Sequence, residues 1–295
     1  MPSTKLTTPA AVRQFLDRFD FFLFDCDGVL WRGDHLLPQI VETLTYLRSL
    51  KKQLLFVTNN STKSRASYIS KLSSLGIPAE IDEVFGSSYS AAIYISRILS
   101  LPADKKVFVI GEKGICEELE KENVRWCGGV EEDIEDMQAD VEDDLEVGVV
   151  LVGLDRGINY RKLARAYRYL QREEVVFLAT NIDSTFPAKG GLMPGAGSMS
   201  APLSYMTGRT PVSLGKPSQE MMKAIEGRFQ FDKNRACMVG DRINTDIRFG
   251  QEGGLGGTLG VLTGVCKEEE FLAEEGVVPE VYLDRLCDLL IAKEE

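Results

Sequence analysis

The chain of 295 residues contains a single histidine, His35. Serine-histidine-aspartate triads, phosphohistidine mechanisms and histidine-rich zinc sites all need this side chain in a different context or in greater number. Its scarcity indicates that any catalysis rests on carboxylates, lysine, hydroxyl groups and the backbone. We expect His35 itself to be structural or exposed to solvent.

Other absences exclude further classes of protein. The six cysteines form no CxxC pair, which favours reduced thiols over a disulfide or zinc framework. No apolar run approaches the roughly 20 residues that span a bilayer, and the N-terminus lacks the apolar core of a signal peptide. The net charge of −11 argues against a surface for nucleic acid or anionic membranes. We therefore expect a cytoplasmic protein that binds neither nucleic acid nor membrane.

The common nucleotide- and calcium-binding motifs are also missing. In Gly253–Gly260, Leu259 occupies the place of the last glycine of a dinucleotide fingerprint. The GKP sequence at Lys216 lacks the Walker A spacing, and Pro217 stands where Ser or Thr must bind magnesium. The segment 131–146 carries ten acidic residues but no glycine turn of a calcium loop, so we expect a solvated face or loop there.

What the chain does contain is an alternation of short apolar runs with segments of helical periodicity. The runs, which predict strands, are Phe21–Phe24, Leu54–Val57, Val107–Ile110, Val147–Val152, Val175–Ala179, Ala236–Val239, Leu259–Leu262 and Val281–Leu283. The predicted helices are Ile40–Leu50, Lys63–Leu75, Ser88–Leu99, Tyr160–Gln171 and Gln219–Phe229. This order is typical of an α/β fold with parallel sheets covered on both faces.

Two carboxylates follow the first predicted strand, in the stretch FFLFDCDGVLWRG. Side chains of an extended segment alternate, so Asp25 and Asp27 can point to one side and Cys26 to the other. We therefore expect Cys26 to be a small side chain packed in the core and not a nucleophile. Gly28 permits a sharp turn away from the sheet. The pair by itself leaves open a metal site and a carboxylate that accepts a group from a substrate.

Polar residues also follow or lie near other predicted strands, namely Thr58, Asn59, Asn60, Lys216, Asp241 and Asp246. Each has an ordinary explanation, such as helix capping or a solvent-facing lysine. However, ligands of open parallel sheets bind at the carboxyl ends of the strands. The four carboxylates of Asp25, Asp27, Asp241 and Asp246 would repel one another at this edge unless a cation or protons lay among them. A site whose ligands are all oxygen atoms is typical of Mg²⁺. Together with a lysine and free N–H groups, they describe a phosphoryl-transfer site.

The stretches FDCDGVLW, FVTNNSTKSR, LGKPS and CMVGDRINTDIRFGQEGG resemble, in this order, the four motifs of the haloacid dehalogenase-like phosphatases. The similarity covers nearly the whole chain and is greatest to the eukaryotic 4-nitrophenylphosphatase and phosphoglycolate phosphatase group, which includes the vitamin B6 phosphate phosphatases. It implies a Rossmann-like parallel-sheet core with an inserted smaller α/β cap domain. We predict the core at residues 1–103 and 209–295, and the cap at residues 104–208.

The resemblance also implies roles for the motif residues. Asp25 would be the nucleophile that takes the phosphoryl group, and Asp27 would protonate the leaving oxygen and then deprotonate water. Mg²⁺ would be held by Asp25, the backbone carbonyl of Asp27 and Asp241, with Asp246 close by. The phosphate oxygens would be held by Thr58, Asn59, Asn60 and Lys216.

The implied activity is Mg²⁺-dependent hydrolysis of small phosphorylated metabolites, with 2-phosphoglycolate favoured and 4-nitrophenyl phosphate as an artificial substrate. Alternatives are the same chemistry on pyridoxal phosphate, a phosphosugar acid or a nucleotide, and a catalytically silent binding protein on the same fold. Phe186, where the vitamin B6 phosphatases carry histidine, disfavours pyridoxal phosphate. Lys63 and Arg65 could meet a substrate carboxylate, but we expect them exposed on a helix. The resemblance further suggests a homodimer formed through the caps.

Overall fold

The computed structural model describes residues 3–131, 143–188 and 191–293. The chain divides into two compact units. Unit 1 comprises Met1–Thr58, Ile69–Phe85 and Lys216–Glu295, and unit 2 comprises Asn59–Tyr68 and Gly86–Gly215. The predicted ranges of core and cap stay a prediction.

The strands, in chain order, are β1 (Thr4–Lys5), β2 (Phe21–Phe24), β3 (Trp31–Arg32), β4 (His35–Leu36), β5 (Gln53–Thr58), β6 (Val84–Gly86), β7 (Lys106–Ile110), β8 (Trp126–Gly128), β9 (Val147–Val152), β10 (Val176–Ala179), β11 (Thr185–Ala188), β12 (Gly191–Pro194), β13 (Val212–Ser213), β14 (Ala236–Gly240), β15 (Gly257–Val261) and β16 (Val281–Leu283).

The α-helices are α1 (Pro9–Asp17), α2 (Ile40–Ser49), α3 (Arg65–Ser74), α4 (Ser87–Ile93), α5 (Lys113–Lys121), α6 (Tyr160–Leu170), α7 (Ala196–Thr207), α8 (Gln219–Arg228), α9 (Arg248–Glu252) and α10 (Glu268–Phe271). Short 3₁₀ segments are Ile81–Glu83, Gly129–Glu131, Lys233–Arg235 and Leu286–Lys293, and π-helical turns are Tyr94–Ile98 and Ile243–Ile247. No helix within the described ranges is long and apolar enough to cross a bilayer.

Unit 1 is built on a sheet with the strand order β1-β16-β15-β14-β2-β5-β6. The strands β14, β2 and β5 are parallel neighbours, and Phe24 of β2 pairs with both Val239 and Phe56. All four residues of β2 are buried, as a strand covered on both faces requires. Because these neighbours run in the same direction and in register, their carboxyl ends lie together at one edge of the sheet.

Unit 2 contains a smaller parallel sheet with the order β13-β10-β9-β7-β8. Its strands contribute to two separate apolar clusters, one around Val149 and Leu151 and the other around Val150 and Val152. Because alternate residues of β9 enter different clusters, both faces of this sheet are covered. The α/β class and the parallel sheets predicted from the sequence are therefore confirmed.

Every predicted strand is present, with ends shifted by at most two residues. The predicted helix Ser88–Leu99 instead changes after Ile93 into the π-helical turn Tyr94–Ile98. Of the acidic segment 131–146, residues 132–142 lie outside the described part of the chain. Farther along it, Asp144 pairs with Lys106 at 2.6 Å.

Candidate active site

The candidate site begins at the carboxyl ends of two neighbouring strands in unit 1. Asp25 follows β2, and its backbone N–H donates to the carbonyl oxygen of Val239 over 2.9 Å. Asp241 follows β14, the neighbour of β2 on that side. The sheet register therefore brings together two carboxylates that lie more than two hundred residues apart in the chain.

Of the four residues predicted at the metal site, three bring their carboxylates together in one cluster. Asp25, Asp241 and Asp246 each offer an oxygen atom, and these atoms all lie within 4.8 Å of one another. The three residues are 9%, 3% and 2% exposed, so little water reaches their charges. The side chain of Asp27, by contrast, is exposed.

Lys216 lies among these carboxylates and is only 1% exposed. Its ammonium Nζ is 2.6 Å from Oδ1 of Asp25 and 2.8 Å from Oδ1 of Asp246, and it donates to the carbonyl oxygen of Val57 over 2.8 Å. Burial alone lowers the pKa of this lysine, but the two carboxylates outweigh burial and raise it. Lys216 is therefore a permanent cation of the site, not the solvent-facing residue that a lone lysine usually is.

One lysine does not balance the negative charge of the cluster. Burial raises the pKa of Asp241 to about 7, and the neighbouring Asp246 contributes to the rise. Burial likewise raises the pKa of Asp25 well above its usual value, although Lys216 opposes the shift. Such shifts mean that ionising the whole cluster is unfavourable without another positive charge. A site of this kind fits a divalent cation with oxygen ligands.

Asp241 is fixed by backbone groups whose role towards this carboxylate the sequence did not indicate. The backbone N–H of Val265 donates to its Oδ2 over 2.6 Å. A Cβ on Gly264 would lie 1.7 Å from that oxygen, and a Cβ on Gly28 would lie 2.7 Å from it. Gly28 also has φ +92°, which disfavours other residues. Both glycines therefore let the backbone approach the carboxylate closely.

Asp27 has a partner that the sequence did not indicate either. The indole Nε1–H of Trp31 donates to its Oδ1 over 2.9 Å. The only sequence signal for this pair is the four-residue spacing, which is too common to be informative. Its neighbour Cys26 is completely buried, as expected, and burial raises the pKa of the thiol well above its usual value. His35 is exposed.

The predicted phosphate-binding residues divide between the two units. Thr58 ends β5 in unit 1 and is buried. Asn59 and Asn60 belong to unit 2. There, Nδ2 of Asn59 donates to Asp183 over 3.1 Å, and Oδ1 of Asn60 accepts the backbone N–H of Thr62 over 3.0 Å. Their roles towards phosphate stay predictions.

The expectation that Arg65 is exposed is wrong. Its guanidinium Nε lies 3.1 Å from Oε2 of Glu118, a completely buried carboxylate, and its side chain is 11% exposed. The guanidinium also lies 3.3 Å from the ring centroid of Tyr89. A buried glutamate needs a cation, which explains the placement. Lys63 is half-buried and precedes α3, which begins at Arg65.

Comparison with known proteins identifies the family to which the chain is similar. The family model described as haloacid dehalogenase-like hydrolase matches residues 22–125, and a second model of HAD-like hydrolases matches residues 213–289. The chain is 50% identical over 291 residues to the 4-nitrophenylphosphatase of Schizosaccharomyces pombe, covering 97% of this chain and 98% of that one.

Two further relatives extend the comparison. Phosphoglycolate phosphatase 1A, chloroplastic, of Arabidopsis thaliana is 41% identical over 287 residues, covering 95% of this chain and 79% of that protein. The crystal structure of glycerol phosphate phosphatase from Mycobacterium tuberculosis in complex with magnesium has a TM-score of 0.76 and 30% identity, covering 93% and 77% of the two chains.

Proposed function

Because the chain belongs to the haloacid dehalogenase-like hydrolases and is a phosphoric monoester hydrolase, we propose that it hydrolyses small phosphate monoesters in a Mg²⁺-dependent reaction, with 2-phosphoglycolate as the favoured substrate. The observation that carries the proposal is the buried cluster of Asp25, Asp241 and Asp246 around the ammonium group of Lys216. It offers a nucleophile, a set of metal ligands and a fixed cation in one place.

The residues present fit Mg²⁺, because the cluster offers carboxylate oxygens only and carries an excess of negative charge. Asp25 and Asp241 would hold the ion with the backbone carbonyl of Asp27, and Asp246 would lie close by. When bound, Mg²⁺ would neutralise the repulsion between the attacking carboxylate and the phosphate oxygens. A magnesium complex of the mycobacterial relative supports the choice of metal.

The chain's own groups account for both steps of the reaction. In the first, a carboxylate oxygen of Asp25 forms a bond to phosphorus while the bond from phosphorus to the ester oxygen breaks, and Asp27 protonates that oxygen. In the second, Asp27 takes a proton from water, whose oxygen attacks the aspartyl phosphate and releases inorganic phosphate. Lys216 and Thr58, with Asn59 and Asn60, would hold the phosphate oxygens.

We infer that the cap predicted at residues 104–208 selects the ester. The 41% identical phosphoglycolate phosphatase supports 2-phosphoglycolate, and the mycobacterial structure adds glycerol phosphate as a second candidate. Pyridoxal phosphate, a phosphosugar acid and a nucleotide stay as alternatives. The guanidinium of Arg65 already forms an ion pair with the buried Glu118, so recognition of a substrate carboxylate by Arg65 is not supported.

The test is an assay on a panel of these esters with Mg²⁺ and with EDTA. We expect hydrolysis only with Mg²⁺, and loss of at least about 10³-fold in Asp25→Asn, which removes the nucleophile. Asp20→Asn is the matched control, because Asp20 precedes the same strand at its other end and pairs with Arg235. If a folded wild-type protein hydrolyses no ester with Mg²⁺, the chain is a silent binding protein and the proposal is wrong.

We also propose that the chain forms a homodimer in the cytoplasm. All six cysteines are free thiols, which supports a reducing compartment. Unit 2 carries strongly exposed apolar side chains, among them Tyr205 at 93% and Leu192 at 67%, and such surfaces mark protein interfaces.

A further inference from the structure

Asp27 differs from the other candidate carboxylates in its surroundings. Its side chain is exposed, whereas Asp25 and Asp241 are buried. An exposed side chain samples several rotamers unless a neighbour orients it. A general acid acts only within hydrogen-bond distance of the atom that takes its proton, so the group that orients Asp27 matters for the rate.

Trp31 is one neighbour that orients Asp27, and it is itself well fixed. Its Nε1–H donates to Oδ1 of Asp27 over 2.9 Å, and the residue is completely buried. Nζ of Lys71 lies 4.3 Å from the centroid of the indole and donates to the carbonyl oxygen of Gly33 over 2.9 Å. The backbone N–H of Gly28 donates to the carbonyl oxygen of Trp31 over 2.7 Å. The indole thus has a defined position from which to orient the carboxylate.

We propose that Trp31 is a positioning residue that gives the two oxygens of Asp27 separate tasks, an inference that rests on the function proposed above. An indole N–H donates but never accepts. Oδ1 therefore accepts this hydrogen bond whether the carboxyl group is protonated or not, and the transferable proton resides on Oδ2. Removal of the indole N–H therefore removes the hydrogen bond that directs the proton to Oδ2.

The proton balance of both steps then runs through Oδ2. As Asp25 bonds to phosphorus, the ester oxygen leaves with the electron pair of its broken bond and takes the proton from Oδ2. As water attacks the aspartyl phosphate, Oδ2 takes a proton from that water, and the carboxylate of Asp25 is released. Oδ1 stays bonded to the indole throughout.

This assignment predicts a dependence on the leaving group. An alkoxide is a poor leaving group and needs protonation as its bond to phosphorus breaks, whereas 4-nitrophenolate is stable as an anion and leaves without it. The ratio kcat/KM reports the steps up to the first irreversible one, which includes departure of the leaving group. A loss of orientation should therefore lower kcat/KM for an alkyl ester far more than for 4-nitrophenyl phosphate.

The experiment replaces Trp31 by Phe, which keeps an aromatic ring beside Lys71 but removes the N–H. We expect kcat/KM for the best alkyl ester of the panel to fall about 10- to 100-fold, the range for a lost hydrogen bond to a charged group. For 4-nitrophenyl phosphate we expect a fall of less than about threefold. Trp126→Phe is the matched control, because this second tryptophan, in unit 2, donates to Glu120 and should change neither value.

Equal falls in kcat/KM on both esters would mean that Trp31 has only a structural role, which would overturn the inference. An unchanged kcat/KM on both esters would overturn it too. Failure of the wild type on all esters would instead contradict the proposed function. In an Asp27→Asn background, Trp31→Phe should have little further effect on the alkyl ester, because the positioned group is already gone. Additive losses would contradict positioning through Asp27.

A second replacement covers the case in which Trp31→Phe does not fold. In Trp126→Phe protein, Trp31 is the remaining tryptophan, so biosynthetic replacement by benzothienylalanine changes position 31 alone. This analogue has the shape of tryptophan with sulfur in place of the N–H. We expect the same selective loss on the alkyl ester, and unchanged selectivity between the two esters would overturn the inference.

Discussion

At the scale of single residues, the two glycines around Asp241 are the sharpest requirement of the site. We expect Gly264→Ala to displace the carboxylate, because the added Cβ would lie 1.7 Å from Oδ2 and 2.2 Å from Cγ. Hydrolysis of 4-nitrophenyl phosphate should fall about 10²-fold or more, with a weaker dependence on Mg²⁺, since a misplacement near 1 Å has an effect of that size.

Gly227→Ala is the control for that substitution. Gly227 lies in α8, and among the described residues no atom outside the neighbouring backbone of this helix lies within 4 Å of the added Cβ. We therefore expect unchanged turnover and slightly higher stability. A Gly264→Ala protein that binds Mg²⁺ and turns over like the wild type would show that Asp241 does not need its present position.

The charge of Asp241 should also be visible in stability without metal. Its pKa of about 7 lies above that of an unfolded aspartate, so between pH 4 and pH 7 the folded protein binds a proton that the unfolded chain has lost. The free energy of unfolding therefore falls as the pH rises through this range. Asn cannot ionise, and its amide oxygen can still accept the N–H of Val265.

We therefore expect Asp241→Asn in EDTA to be more stable than the wild type at pH 8, by up to about 4 kcal/mol, and to lose most of that advantage at pH 5. Urea unfolding at the two pH values measures the difference. Mg²⁺ should stabilise the wild type more than the variant. A variant that is less stable than the wild type at pH 8 in EDTA would contradict the raised pKa.

At the scale of elements, a buried ion pair fixes the start of α6 in unit 2. Nζ of Lys162 lies 2.7 Å from Oδ2 of Asp155, and their side chains are 3% and 1% exposed. Oδ1 of the same aspartate accepts the backbone N–H of Gly157 over 2.8 Å. The pair thus ties the first turn of α6 to the loop that follows β9.

We expect Lys162→Met to lower the free energy of unfolding by about 3–5 kcal/mol, because it leaves Asp155 buried without its cation. Adding Asp155→Asn should recover part of the loss, since Asn can still accept the N–H of Gly157. Lys223→Met is the control in α8, where the lysine is 63% exposed and pairs with Glu220, and should change stability by less than about 1 kcal/mol. Urea unfolding followed by circular dichroism measures all three, and equal effects of Lys162→Met and Lys223→Met would contradict the burial argument.

The elements differ in how well the sequence predicts them, and the reason is local. Buried parallel strands such as β2 and β9 are continuous apolar runs, so their bounds can be predicted almost to the residue. The helix α7 has no comparable signal, because Gly, Ser and an internal Pro202 give it low intrinsic propensity. The two-residue strands β3 and β4 are too short to show a period.

At the scale of the whole molecule, the sequence predicts which residues form the site better than it predicts the neighbouring groups that hold them in position. Asp25, Asp241 and Lys216 could be selected because polar residues at strand ends are informative wherever the strands lie. Which strands are neighbours cannot be read from one sequence, and neither can the partners of Asp241 and Asp27. Val265 and Trp31 act through a backbone N–H and an indole N–H that are positioned only by the folded loops.

The last prediction concerns assembly. The exposed apolar side chains of unit 2 include Leu192 and Met193 of β12, at 67% and 48%, and Tyr205 and Met206 of α7, at 93% and 42%. The elements α7 and β12 pack against each other, and both carry exposed apolar side chains. Aromatic residues and Met are enriched at the centres of interfaces, and leaving such side chains in water forfeits the free energy of burying them.

We therefore expect sedimentation at about micromolar concentration to show a species of twice the chain mass of 32.7 kDa. Tyr205→Glu places a charge on this surface and should shift the equilibrium to the monomer, because an unpaired charge at the centre of an interface has to be desolvated. Leu272→Glu, at a residue of unit 1 that is 44% exposed, is the matched control and should leave the dimer intact. A wild-type protein that sediments only as a monomer would exclude the dimer. A dimer that tolerates Tyr205→Glu but not Leu272→Glu would place the interface elsewhere.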